Sequence, residues 1–111
     1  MSILSDVNTI ITGLSIPVET GIFTDKAPES YAVVLPLSDV FDLHCDNRPE
    51  VDVQEARISL YSQGSYTGMK NSVIHALIEA GITITARQYL GYEPDTGYHH
   101  YNIDVSQYYP V

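Results

Sequence analysis

Glu55-Ala56-Arg57-Ile58-Ser59-Leu60 leads through Gln63-Gly64 into Met69-Lys70-Asn71-Ser72-Val73-Ile74-His75-Ala76-Leu77-Ile78, and Gly81 closes the run. In its first part apolar and polar residues alternate strictly, the period of a strand with one buried face. Ala56, Ile58 and Leu60 make the apolar side, and Glu55, Arg57 and Ser59 the polar side. The spacing then becomes helical: Met69, Val73, Ile74, Ala76, Leu77, Ile78 and Ala80 share one side of a wheel, with Asn71, Ser72, His75 and Glu79 opposite. Lys70 falls inside the apolar arc and has to carry its charge past it to water. Ser65 is placed to cap the helix, because a short hydroxyl accepts from an unpaired N–H of the first turn. Gly81 is placed to end it, since glycine takes positive φ without a Cβ clash.

The rest of the chain reads as elements laid against this strand and helix. Ile3, Leu4, Val7, Ile10, Ile11 and Leu14 fall in one narrow helical arc, which predicts a second amphipathic helix over Ser2 to Leu14, capped by Ser2 and favoured by Asp6 at its positive end. Ile16 to Phe23 reads as an edge strand, because Pro17 cannot donate to a ladder. Thr24 to Ser30 reads as a polar connection, and Tyr31 to Leu37 as a nearly continuous apolar strand with a bulge or an end at Pro36. Asp39 to Pro49 reads as a projecting hairpin or a mobile loop. After Gly81, Ile82, Ile84 and Ala86 alternate with Thr83, Thr85 and Arg87 in a strand reaching about Leu90. Glu93-Pro94-Asp95-Thr96-Gly97 carries hairpin chemistry. Tyr98 to Gln107 then forms the last strand, with Tyr101, Ile103 and Val105 on one face and His100, Asn102 and Asp104 on the other.

These elements predict one α+β domain over 1–111, a mainly antiparallel sheet of about five strands with two helices on one face. The strand, helix, strand unit from Glu55 to Leu90 is a crossover, normally right-handed. Inserting the last strand between its two strands keeps the sheet antiparallel and gives the order 1-2-3-5-4. A chain of 111 residues buries somewhat under about 70% of its extended surface, enough for one core without staples.

Composition narrows the functions. No run approaches the roughly 18 apolar residues of a membrane span and no secretion signal is present, so a soluble chain is expected, with no membrane partner. The single cysteine, Cys45, lies beside His44 but between Asp42 and Asp46, which oppose a thiolate, and it reads as a bystander in a reducing compartment. Five basic residues against fourteen acidic give a net charge of −9. Asp39, Asp42, Asp46, Glu50, Asp52 and Glu55 crowd together with only Arg48 to offset them. Phosphate contacts need clustered Lys and Arg, so direct nucleic-acid binding is disfavoured and the acidic stretch reads as a solvated segment that meets a basic partner.

The sharpest candidate site is Asp95-Thr96-Gly97-Tyr98-His99-His100-Tyr101. Two histidines and an aspartate are common ligands, but neighbours on a strand point to opposite faces, so no metal is expected there. No phosphate loop, nucleophile elbow or cysteine pair occurs, and neither a catalytic set nor a cofactor is expected. Nine tyrosines stand against two phenylalanines and no tryptophan. Tyr89, Tyr92, Tyr98, Tyr101, Tyr108 and Tyr109 gather round the terminal hairpin, where half-wet, half-apolar rings suit a subunit interface.

Gly91-Tyr92-Glu93-Pro94-Asp95-Thr96-Gly97-Tyr98-His99-His100-Tyr101-Asn102-Ile103-Asp104-Val105 resembles the C-terminal signature of small tail proteins of long-tailed phages and prophages of Gram-positive hosts. Asp46-Asn47-Arg48-Pro49, Gln54-Glu55-Ala56-Arg57-Ile58-Ser59-Leu60, Lys70-Asn71 and Ile16-Pro17-Val18-Glu19-Thr20-Gly21 are similar to the same group, so the likeness covers nearly the whole chain. The resemblance implies a tail-completion or tail-terminator subunit in the virion, commonly a hexameric ring, with no catalytic residues. Its implied partners are further copies of itself, the major tail tube protein and the head-completion or connector protein. A head-completion subunit or another minor tail component is the alternative within that class. A small ligand-binding or enzymatic α+β domain using the hairpin is the alternative outside it. In the tail reading Phe41 and Leu43 are candidate buried anchors, Arg48 a contact to an acidic group, and Asp42 and Asp46 either docking residues or charges facing DNA in a channel. Tyr92, Asp95, Tyr98, His99 and His100 complete the candidate interface.

Overall fold

The computed structural model describes residues 2–20, 28–45 and 48–111, with backbone alone for 41–45 and 48–50. The described residues form α1 (Ile3–Gly13), β1 (Val18–Thr20), β2 (Ser30–Cys45), β3 (Arg48–Ser62), α2 (Thr67–Glu79), β4 (Thr83–Glu93) and β5 (Tyr98–Pro110). The sheet order is β1-β2-β3-β5-β4, as the crossover argument predicts. β5 lies antiparallel between β3 and β4, so α2 carries the chain over β5 from one of its neighbours to the other.

The central row of the core follows from register. Ile58 is opposite Val34 on one side and Ile103 on the other, and all three are fully buried. Ala56 and Val105, and Leu60 and Tyr101, make the flanking rows. Ile3, Val7 and Ile11 of α1 and Val73 and Leu77 of α2 close over them. Two long-range bonds fasten the start of α1 to the sheet: the Ile3 N–H donates to Gln54 Oε1 at 2.8 Å, and the Tyr109 hydroxyl donates to Asp6 Oδ2 at 2.6 Å. Ser2 Oγ accepts from the Ser5 N–H, the expected cap.

Several expectations change. The sheet is not wholly antiparallel, because β1 pairs parallel with β2 from Val18↔Ala32 to Thr20↔Val34. Only three residues pair, a span of about 10 Å. Of the strand expected over Ile16 to Phe23, residues 21–23 lie outside the described residues, as do Thr24 to Ala27 of the connection. Pro36 marks a bulge, with the register slipping between Pro36 and Ser38, but β2 continues past it. Of the two readings of the Asp39 to Pro49 stretch, the hairpin holds for its described residues: pairing runs from Asp39↔Gln54 to Cys45↔Arg48. Backbone groups bond across the pair whatever the side-chain polarity, so an acidic composition does not prevent a ladder. β4 and β5 likewise run beyond their expected ends, to Glu93 and Pro110.

α2 begins at Thr67, not at Ser65, and its cap residue Tyr66 makes no side-chain cap bond. The Tyr66 ring stacks instead on Tyr89 and Tyr101, so aromatic packing fixes where this helix starts. Gly81 has φ +79° and ends α2 as expected. Ile78, assigned to the apolar arc, is 61% exposed, while Val73 and Leu77 are fully buried and Met69 and Ile74 pack beside them. The buried stripe is narrower than the wheel suggests because α2 shares the sheet with α1.

The sheet narrows in steps toward one end. β1 and β4 stop at Thr20 and Thr83, β5 stops at Pro110 opposite Val51, and β2 and β3 go on alone to Cys45 and Arg48. The result is an arm, and it shows in the dimensions: extents of 54 × 26 × 22 Å and a radius of gyration of 15.2 Å, against about 13 Å for a compact chain of about 100 residues.

Leu77→Ala leaves a cavity where α2 closes over the sheet and should cost about 2 to 5 kcal/mol, whereas Ile78→Ala, on the exposed side of the same helix, should stay within about 0.5 kcal/mol. Urea unfolding of the two variants checks the helix orientation, and equal losses would refute it.

Candidate interaction surfaces

Alternation along β2, β3 and β5 turns a second set of side chains to the face opposite the helices. Register places Tyr31, Tyr61 and His100 side by side there. Tyr61 stacks on Tyr31 with ring centroids 4.8 Å apart and on His100 at 4.3 Å. Tyr98 meets Tyr31 and Tyr61 edge-on, and its hydroxyl donates to the Pro28 carbonyl at 2.6 Å. Burial raises the hydroxyl pKa of both Tyr31 and Tyr61. It also lowers the pKa of His100 from its ordinary 6.5, against smaller opposing effects of Glu93 and Asn102. Nε2 of His100 is buried and has no hydrogen-bond partner among the described residues, which suits a neutral ring. Further along the face the Ser59 hydroxyl donates to Asn102 Oδ1, and Arg57 forms a two-pronged pair with Asp104 at 2.8 and 3.2 Å. Toward the arm the row becomes apolar: Val40, Val53 and Tyr108 align across β2, β3 and β5, with Val40 57% and Tyr108 67% exposed.

A second aromatic group lies on the helix side, between the start of α2 and the outer strand β4. Tyr66 is sandwiched between Tyr89 and Tyr101 at 5.1 and 5.9 Å, and Lys70 Nζ stands over Tyr66 and Tyr101 at 5.7 and 5.3 Å. The cation that the sequence leaves inside an apolar arc is thus held on ring faces. His99 Nδ1 and the Tyr89 hydroxyl share a hydrogen bond of 2.9 Å, and Tyr92 packs 4.9 Å from His99. The register of β4 slips between Tyr89 and Gly91, and Gly91 has φ +128°, a value that glycine alone tolerates easily. That bulge leaves Leu90 46% exposed beside Tyr89 and Tyr92 on an edge strand. A hollow lined by Ile84, Thr85, Ala86, Arg87 and Tyr101 runs along the same strand.

The candidate residues therefore separate. His99 and His100 fall on opposite faces, as the strand geometry requires, His100 stacked on Tyr61 and His99 packed at a tilt against Tyr92. Tyr92 is 53% exposed on the β4 rim and Asp95 is exposed in the turn. Tyr98 is only 9% exposed and is committed to Pro28 and the stack, so it is a packing residue and not a contact surface. Asp46 lies outside the described residues, and Phe41, Asp42, Leu43 and Arg48 are placed by backbone alone, on the arm. Among the described residues no group of three or more His, Cys, Asp or Glu is arranged to hold a metal ion. No described helix is long and apolar enough to cross a membrane. Sequence reading overlooks the Val40, Val53, Tyr108 row and the Tyr31, Tyr61, His100 stack, because each is a product of register across strands far apart in the chain.

His100 gives a pH signature. A depressed folded pKa means that the unfolded state takes up the proton first, so its contribution to stability is whole above about 6.5 and is lost as pH falls from there toward the folded pKa. His100→Phe keeps the stack and removes the titration. Its urea midpoint should gain on that of the parent chain between pH 7.5 and pH 5, and parallel profiles would refute the neutral buried ring.

No model of a known protein family matches this chain, and no curated protein matches it either.

Proposed function

We propose that this protein is a structural subunit of a long-tailed phage or prophage: a tail terminator or tail-completion protein that caps the tail tube and offers the surface on which the head docks. The observation that carries the reading is the pairing of a projecting arm with an exposed, aromatic-rich edge strand on one small domain. An exposed sheet edge holds unpaired donors and acceptors, and large apolar side chains left on it favour association. The resemblance of the Gly91 to Val105 stretch to small tail proteins points the same way. In this role the subunit works by shape and edge complementarity, without catalysis or cofactor. It assembles with copies of itself, the tube protein and the head connector, and resides in the virion at the head-proximal end of the tail. The net charge of −9 suits a ring that DNA must pass without being gripped.

Disrupting the gene in an inducible prophage should yield headless tails of irregular, excessive length, with the intact chain supplied in trans restoring joined particles. Electron microscopy of the lysate reads the outcome, and normal tails joined to heads would overturn the proposal.

A further inference from the structure

The arm extends past the Thr83 end of β4, whereas Tyr89, Leu90 and Tyr92 sit toward the other end of that strand, beside Tyr101 to His99, so one chain cannot bring its own arm onto its own rim. Each carries what a monomer normally hides. Leu37, Val40 and Tyr108 are exposed at the root of the arm, and Tyr89, Leu90 and Tyr92 on the rim.

Charge selects among the ways two copies can meet. The root of the arm bears Asp39, Asp52 and Glu55, and no described cation of β2 stands beside them. Of the chain's five cations, Arg57 is engaged by Asp104, whereas Arg87 and Lys70 both stand at the β4 and α2 side. Arg87 has no ion-pair partner among the described residues. Arm against arm sets acid against acid. Rim against rim sets Arg87 against Arg87 and Glu93 against Glu93. Only arm against rim brings the acids to Arg87 while covering apolar side chains on both partners.

We propose, building on the assembly reading above, that the arm of one subunit docks by its root on the β4 rim of the next, Val40 and Tyr108 covering Leu90 and its tyrosine neighbours, with Glu55, which register puts on the same face as Val40, turned toward Arg87. Because the two surfaces differ, the contact is heterologous: it repeats head to tail, and either closes into a ring or runs on as a filament. Every subunit in such a chain uses both surfaces, and one that lacks either terminates it.

This asymmetry gives a decisive mixing experiment with the full chain. Val40→Asp damages only the arm and Leu90→Asp only the rim, and both positions are exposed enough for the fold to keep its urea midpoint. Sedimentation velocity should show the parent chain as oligomers, each variant alone as monomer, and an equal mixture of the two as a heterodimer that grows no further. Arg87→Glu should weaken parent association at least tenfold, and Glu55→Arg in the same chain should restore much of it. Should either aspartate variant unfold, Tyr108→Ser and Arg87→Glu replace the pair in the same mixture. A parent chain that stays monomeric, a single variant that still oligomerises, or a mixture with no heterodimer would each overturn the proposed contact. Those results leave the prophage experiment untouched: overlong tails with a failed mixture keep the tail role and discard the contact, while normal tails discard the role whatever the mixture shows.

Discussion

Ile58 is held from both sides, by Val34 across one ladder and Ile103 across the other, and this buried row is the constraint on which the other elements depend. A strand paired on both edges leaves no backbone donor or acceptor seeking a partner, so β3 can be buried outright under the helices. Once β5 occupies the second edge of β3, β4 must pair with β5, and α2 must cross the sheet to connect them. Leu77 and Val73 then face the row because that crossing lays α2 over it, while α1, tied down through Ile3 and Asp6, covers the remainder.

The fold was legible where local pattern and global demand coincide. Alternation over Glu55 to Leu60 and the helical spacing after Met69 fix a strand, helix, strand unit, and antiparallel insertion of the last strand yields the observed order. The misreadings share a cause. Ser65 as a cap and Ile78 as core are judgements from single residues, and the choice between hairpin and loop for the acidic stretch is left open by composition; each is decided by something remote in sequence. Tyr89 and Tyr101 set the start of α2, α1 takes sheet surface that α2 would otherwise cover, and the ladder from Arg48 to Val53 converts the acids into a strand. Parallel pairing of β1 belongs to the same category, since nothing in Val18 to Thr20 encodes direction.

The candidate surfaces were only half legible for the same reason. Clustering of tyrosines near the C-terminal hairpin is visible in the sequence, but the face taken by Tyr89 and Tyr92 depends on the bulges in β4, and the neighbours of the β5 rings on register with β3. Two separate aromatic groups result, and they do different work. On the helix-free face, Tyr31, Tyr61, Tyr98 and His100 lean on one another and stand in for a missing layer of core. On the rim, Tyr66 and Tyr101 support Tyr89, while Tyr92 and Leu90 remain free for a partner.

Acidity constrains how such a chain can associate at all. With fourteen acidic side chains and five basic ones, bringing two copies together raises repulsion unless the approach singles out the few cations. Screening over about 8 Å at physiological ionic strength mutes that repulsion at a distance but not at contact, so it decides orientation more than it prevents encounter. A short-range apolar match then has to supply the binding energy, and here it is carried by residues that sit on edges and bulges instead of in the core. The arrangement separates the two tasks physically: the Ile58 row holds the subunit together, and the arm and rim, which add little to that row, are left to be shaped by what they meet.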